Sequence, residues 1–360
     1  MLTSSGRWQR SRALLSTDMA VNLRDVARRA GVSVPTASRV LSGSNYPVTE
    51  DLRIKVVEAA QALDYVPNAQ AQALLSGDPR TVGVLVGTVD DPYFSEIVNG
   101  VQDVATARHL LVTICNTDRD VDRELEYFRL LQAHRTGYVI IAGSGLVDED
   151  YITGMDTRIR SFTASGGRAV GIGHPQVPVD RVVTDNTGGA RALGQHLVDL
   201  GHRQIGVLVG VANVSSTIER LDGLRSVIEP AGAVLHLRHG DPTRDAGYTG
   251  ARELLAAHPE ITALVGTADQ MAIGALSWLR EHGRRVPEEV SVAGFNDISV
   301  SRDLQLTSVR LPLRQMGAAA LELALTPAPN QELIETALPT ELVVRATTAP
   351  ASTGPATPRG

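Results

Sequence analysis

From Thr81 onward the chain repeats one rhythm: a short apolar run, a polar loop, then a stretch with helical period. The apolar runs fall at 82–86, 110–115, 138–142, 169–172, 182–184, 204–209, 263–266 and 290–294. Helix-period stretches at 96–108, 123–133, 188–200, 218–229, 247–257 and 269–281 separate most of them. Alternation of this kind reads as parallel strands covered by helices on both faces. Eight such units across residues 81–345 are too many for one compact sheet, so two lobes are expected.

Composition narrows the class. Aromatic residues make up only 4%, so the core must be built from Val, Leu, Ile and Ala. A single cysteine, Cys115, leaves no internal disulfide and no cysteine cluster for zinc, which fits a reducing cytoplasm. No apolar run approaches the roughly 18 residues of a membrane-spanning helix. Residues 1–20 read as a disordered extension in which Asp18 interrupts a short apolar stretch, unlike a signal peptide. Met1 and Met19 both remain open as starts. The net charge of −6 is unevenly placed. Residues 1–77 hold nine Lys/Arg against six Asp/Glu, and residues 78–360 hold 25 against 34. A basic head on an acidic body is compatible with a nucleic-acid reader carrying a separate sensor.

The head has a different pattern. Asn22 is placed to cap a helix from Leu23 to Ala30, and Gly31 supplies the turn. Ser33 caps a second helix, Val34 to Leu41, with Pro35 tolerated in its first turn. Thr49 caps a third, residues 50–63, with Leu52, Val56, Ala59, Ala60 and Leu63 as an apolar stripe. A helix, a glycine turn and a second helix form a helix-turn-helix, whose second helix enters the DNA major groove. Val34, Pro35, Thr36, Ser38 and Arg39 would then face outward. Arg39 suits the O6/N7 edge of guanine, Thr36 and Ser38 suit phosphate oxygens, and Val34 suits a thymine methyl. From spacing alone, a small helical bundle with a surface arginine fits equally well.

The run Leu23-Arg24-Asp25-Val26-Ala27 through Ser38-Arg39-Val40-Leu41-Ser42-Gly43 resembles the headpiece of the lactose repressor/galactose repressor family. Asp64-Tyr65-Val66-Pro67-Asn68-Ala69 continues the match. The resemblance, which runs from about Asn22 to Arg345, implies contacts to operator DNA from Leu23, Ser33, Tyr65 and Asn68 as well. It implies a hinge helix that orders on DNA, at about residues 68–76, with Leu74 as a minor-groove wedge. Nine residues are too few for a stable isolated helix, although a plain linker fits too. The implied organisation is multidomain. An all-α helix-turn-helix headpiece (21–67) and a hinge helix and linker (68–80) precede an α/β two-lobed, type I periplasmic-binding-protein-like sensor (81–345). Residues 346–360, rich in Pro, Thr and Ala, are expected to form a disordered tail.

In open α/β sheets ligands bind beyond the carboxyl ends of strands. That rule singles out Asp91, Tyr93, Phe94, Asn116, His174, Asp185, Asn186, Arg220, Asp269, Phe295, Asn296 and Asp297. Each is also an ordinary helix cap or loop group, Asp185 and Asp297 especially. The motifs Asp90-Asp91-Pro92-Tyr93-Phe94, Thr184-Asp185-Asn186, Glu219-Arg220-Leu221-Asp222-Gly223 and Asp269-Gln270-Met271-Ala272 are similar to the family's sensor. The resemblance places the effector arginine on Arg220, the effector aspartate on Asp269 and a polar contact at Asp241. The effector it implies is a sugar-like polyhydroxylated molecule. It also implies a homodimer, with contacts expected from first-lobe helices such as 96–108, and no cofactor. The family's usual Asp-Arg-Pro is replaced here by Gly173-His174-Pro175. A sugar-binding protein without a regulatory role, or a Rossmann-like enzyme with a fused helical head, are the rival classes. No phosphate loop, Gly-x-Ser-x-Gly elbow or His-Glu-x-x-His is present. His236 and His239 sit three apart with no further ligands nearby in sequence, and are expected to be solvated.

Overall fold

The computed structural model describes residues 21–42, 47–66, 81–143, 145–326 and 333–352. The chain divides into two compact units, Met1–Asp78 and Pro79–Gly360. In the first, helix α1 (Leu23–Ala30) starts with a capping box. The Asn22 side chain accepts from the Arg24 amide at 2.9 Å while the Asn22 amide donates to Asp25 at 3.1 Å. Gly31, at φ 67°, ends the helix in the left-handed region that glycine enters without penalty. Helix α2 (Val34–Leu41) begins with the Thr36 amide donating to Ser33 Oγ at 3.3 Å. Helix α3 (Glu50–Ala62) has Thr49 at its N-cap without the expected side-chain bond, the Thr49 carbonyl serving instead. The three helices enclose Val26, Ala27, Ala37, Val40, Val56, Ala59 and Ala60. Of the expected stripe, Val56, Ala59 and Ala60 are buried and Leu63 packs half-buried on them, while Leu52 lies outside this cluster.

In the second unit twelve strands are found among the described residues, in two six-stranded sheets. The first sheet holds β1 (Thr81–Val86), β2 (Leu111–Asn116), β3 (Tyr138–Ala142), β4 (Arg168–Ile172), β5 (Asp180–Thr184) and β11 (Glu335–Leu338), in the order β11-β5-β4-β3-β1-β2. The second holds β6 (Gln204–Val209), β7 (Val234–His239), β8 (Ala263–Gly266), β9 (Ser291–Asn296), β10 (Thr307–Arg310) and β12 (Glu341–Val343), in the order β12-β10-β9-β8-β6-β7. All pairs are parallel except β10 with β12. Two sheets with the same winding order are two copies of one doubly wound plan.

Helices α4 (Pro92–Ala107), α5 (Val121–Ala133) and α6 (Glu149–Ala164) belong to the first lobe. Helices α7 (Asn186–Asp199), α8 (Ser215–Ile228), α9 (Arg244–Ala257), α10 (Asp269–Glu281) and the short α11 (Ser299–Asp303) belong to the second. Helix α12 (Leu313–Leu325) returns to the first lobe, packing on α4 and on β3, β4 and β5. The chain thus crosses between lobes three times, at Asp185, between Arg310 and Leu313, and between Leu338 and Glu341. In both lobes helix pairs meet at glycines. A Cβ on Gly317 would fall on the Ile97 carbonyl, and one on Gly100 would fall on the Arg314 carbonyl.

Val, Leu, Ile and Ala dominate the core, as composition requires, and all four phenylalanines (Phe94, Phe128, Phe162 and Phe295) are buried.

The expectation of a disordered tail from 346 fails over residues 346–352. The Val292 amide donates to the Thr347 carbonyl at 2.7 Å. The Thr347 hydroxyl accepts from the Thr307 amide at 2.9 Å, and the Ala349 amide donates to Ser291 Oγ at 3.1 Å. A composition that lacks apolar mass reads as disorder. Here the ordering comes from threonine hydroxyls and backbone groups that satisfy β9 and β10. Residues 1–20, the hinge with Asn68 and Leu74, and residues 353–360 lie outside the described residues.

Candidate functional site

The reading helix of the headpiece presents what its period requires. Ala37 and Val40 point inward, Val34, Pro35 and Arg39 are exposed, and Thr36 and Ser38 are half-exposed. Thr36 Oγ1 lies 2.8 Å from Ser33 Oγ, so both hydroxyls begin tied to the helix start. Leu23 and Tyr65, expected at the DNA, also pack half-buried against the headpiece core.

Between the two lobes of the second unit lies a cleft of about 940 Å³, part of it open to solvent. Asp91, Tyr93, Phe94, Arg119, Glu124 and Tyr151 line it from the first lobe; Gly210, Thr217, Arg220, Thr267 and Asn296 line it from the second. Asp91 caps α4, accepting from the Tyr93 amide at 3.0 Å, and pairs with Arg119 at 3.8 Å. Burial raises its carboxyl above the ordinary range, opposed by that amide and by Arg119. Tyr93 and Phe94 meet edge to face at 5.0 Å, a wall suited to an apolar molecular face. Tyr151 donates to Glu124 at 2.7 Å, and burial pushes the Glu124 carboxyl up.

Arg220 is held rigid on the opposite side. Its Nε donates to Asn186 Oδ1 at 3.0 Å and its Nη1 to the Thr267 carbonyl at 2.7 Å. Its guanidinium lies 4.1 Å from the centre of the Phe295 ring. Burial lowers its pKa to about 10, with Tyr93, Glu219, Asp269 and Asp91 countering. Beside it Asn296 sits at φ 114°, a strained position for a side-chain-bearing residue. Its Oδ1 is buried without a hydrogen-bond partner.

Asp91, Tyr93, Phe94, Arg220 and Asn296 are therefore brought together at the cleft, and the other expected residues are not. Asp185 caps α7, accepting from the Gly188 amide at 2.7 Å, Asn186 holds Arg220, His174 meets Glu219, and Asp297 pairs with Arg310 and Arg345. Phe295 supports Arg220 from below. Asn116 pins its own loop, accepting from Val89 and donating to Asp118. Asp241 is exposed next to Pro242, which does line the cleft. Asp269 is fully buried. Its oxygens accept from the Ile298 amide at 2.8 Å, Ser301 Oγ at 2.7 Å and Ser308 Oγ at 2.6 Å, all within its own lobe. It neither reaches the cleft nor caps its own helix; it fastens the start of α11. Arg119 was within reach of the strand-end rule, three residues beyond β2. Glu124 on α5 and Tyr151 on α6 were not named from the sequence, and only the fold brings them to the cleft.

His236 is not simply solvated. Its Nε2 lies 2.7 Å from Gln204 Oε1, and its ring stacks at 3.8 Å on His258, which is 3.4 Å from Glu260. Gln204 comes from β6, and His258 and Glu260 from the loop after α9, all invisible to a count along β7. The His-His-Glu group carries donor types that divalent cations take, but each member already has a protein partner.

Two family models match the chain. One describes periplasmic binding proteins and the sugar binding domain of the LacI family, over residues 79–340. The other describes bacterial regulatory proteins of the lacI family, over residues 22–68. The chain belongs to the LacI family. It is a DNA-binding transcriptional regulator with a helix-turn-helix headpiece and a type I periplasmic-binding-protein-like domain. It is similar to the HTH-type transcriptional regulator GalS of Salmonella typhimurium, 34% identical over 85% of this chain and 89% of that one. Among solved structures it resembles the lac repressor dimer bound to operator and the anti-inducer ONPF, with TM-score 0.80 and 28% identity over 91% of this chain and 99% of that one. It also resembles the complex of the transcriptional regulator CelR with cellobiose, with TM-score 0.66 and 30% identity over 91% of this chain and 99% of that one. Among the described residues no helix is long and apolar enough to cross a membrane.

Proposed function

We propose that this LacI-family regulator represses transcription in the cytoplasm as a homodimer on a pseudo-palindromic operator, and that a sugar or similar polyhydroxylated effector in the interlobe cleft changes its operator affinity. The observation that carries the effector reading is Asn296 Oδ1. It is a buried acceptor without a donor, at a strained backbone position, beside a rigid arginine and across from an aromatic wall. An unsatisfied buried polar atom costs about 1–3 kcal/mol, and a ligand hydroxyl would recover it once the Asn296 side chain turns into the cleft that this residue lines. Arg220 supplies donors and Asp91 acceptors, the alternation that a ring of hydroxyls requires. The site is read as binding and releasing its ligand unchanged, since the relatives it resembles are regulators. The CelR–cellobiose complex supports a sugar, and the operator-bound lac repressor dimer supports the DNA reading. Leu74, Asn68, Leu23, Ser33 and Tyr65 belong to that DNA reading.

Calorimetry of the full chain against D-galactose, D-ribose and cellobiose tests it. One of these sugars binds, Arg220→Ala abolishes binding, and the bound sugar shifts operator affinity. In a binding-site selection, Arg39→Ala costs about 1–3 kcal/mol and flattens preference at one base pair per half-site. Sugar affinity unchanged in Arg220→Ala removes the cleft from the account, and selectivity unchanged in Arg39→Ala removes that base contact.

A further inference from the structure

His174 follows β4 in the first lobe and touches the second. Its Nδ1 lies 2.5 Å from Glu219 Oε1 on α8. The other Glu219 oxygen accepts from Asn186 Nδ2 at 2.8 Å, and Asn186 Oδ1 accepts from Arg220 Nε at 3.0 Å. One unbroken path therefore runs from the first-lobe imidazole to the guanidinium that lines the cleft. Ser215 Oγ, also on α8, donates to the His174 carbonyl at 3.2 Å, and Gln176 Nε2 donates to the same carbonyl at 3.1 Å. The backbone at 174 is thereby fixed whatever the charge of the ring.

We propose that His174 is a positioning residue and latch. While its ring is protonated, its contact with Glu219 holds the lobes together and sets Arg220 through Asn186. When the proton leaves, the lobes loosen and the cleft binds its ligand less well. The effect on ligand affinity rests on the effector reading above; the latch itself does not.

The charged groups around the ring fit this role. Glu219 faces it from α8, while Arg181 on β5 and Glu335 on β11 face it as a pair 2.6 Å apart, one opposing and one favouring the imidazolium. The hydrogen bond to Glu219 holds the His174 pKa above that of an ordinary histidine, with burial opposing. A raised histidine pKa means the contact is fully present at low pH and is lost as pH climbs through the raised value. Both side chains are about a quarter to a third exposed, so proton exchange with solvent is open. As a mere surface ion pair the contact would be worth little. Other bonds also span the lobes here, from Ser215 Oγ to the His174 carbonyl and from the Val147 amide to the Asn213 carbonyl. What distinguishes the His174–Glu219 contact from these two is that its charge changes with pH and that it ends on the cleft arginine.

The test needs no ligand. In the full chain carrying Cys115→Ser, spin labels are placed at exposed Gln102 on α4 and exposed Arg252 on α9, and their separation is measured from pH 5.5 to 9. The wild type should give a narrow distance distribution at low pH that broadens as pH rises, with a midpoint above about 6.5. His174→Asn should be broad throughout and Glu219→Gln should lose the response. His174→Arg, a permanent cation, should stay narrow at every pH. A flat wild-type profile, or one unchanged by His174→Asn, overturns the latch. Calorimetry with the same three sugars at pH 6 and 8.5 then reads the consequence: a several-fold loss of affinity in the wild type that His174→Arg abolishes. If none of the sugars binds, the effector reading fails while the distance profile still decides the latch.

Discussion

Asp269 illustrates what one side chain reveals only in three dimensions. Its position after β8 at the start of α10 was legible, and the strand-end rule pointed it at a ligand. The rule gives the end of the sheet, not the rotamer. Three donors from Ile298, Ser301 and Ser308 claim both oxygens within the second lobe. Burial raises the pKa of this carboxyl, and those three donors oppose the rise. Asp269→Asn replaces an acceptor oxygen with an NH2 facing a donor. We expect a stability loss of about 1–3 kcal/mol in urea unfolding, the cost of leaving a buried group unsatisfied, with sugar affinity retained. Full stability combined with lost sugar binding would return Asp269 to the effector site. Arg220 was legible by the same rule and does reach the cleft, because Asn186, Thr267 and Phe295 leave its guanidinium one orientation.

At the scale of elements, the strands that are continuous apolar runs were read, and three interior elements were not: helices α6 and α12, and β10, whose Thr-Ser-Val-Arg has no apolar run although it lies between β9 and β12. Strand β7 has mixed burial, with exposed Val234 and a half-buried His236, so no two-residue alternation marks it. Strands β11 and β12 are four and three residues long, too short for a periodic pattern. What sequence pattern misses entirely is which helices touch. Helices α4 and α12 lie more than two hundred residues apart yet interlock at Gly100 and Gly317. On an isolated helix, Gly→Ala is favourable by about 1 kcal/mol. At Gly317 the added methyl meets the Ile97 backbone, which cannot rotate aside. Gly317→Ala should therefore destabilise the protein by about 1–3 kcal/mol. A denaturation midpoint at or above wild type would show that the two helices can part without cost.

For the whole molecule, we propose that the edge strand beside the expected helix forms part of the dimer surface. The apolar face of α4 is already covered by α12, and its outer face shows Ser95, Asn99, Gln102 and Thr106. Beside it β2 is an edge strand that exposes Leu111 at 66% and Ile114 at 47%. An exposed apolar edge invites pairing with another chain. Leu111→Glu should convert the dimer to a monomer in sedimentation velocity and lose operator affinity while still binding sugar. A variant that stays dimeric would place the interface elsewhere.

The three crossings between lobes also set the order in which the protein can be made. The first sheet lacks β11, and α4 lacks its partner α12, until nearly the whole chain has been synthesised. At about 5–20 residues per second, the apolar face of α4 waits on the order of tens of seconds for its cover. During that interval Ile97 and Val101, fully buried in the finished molecule, have nothing from α12 against them. The second lobe is therefore nearly complete before the first can close.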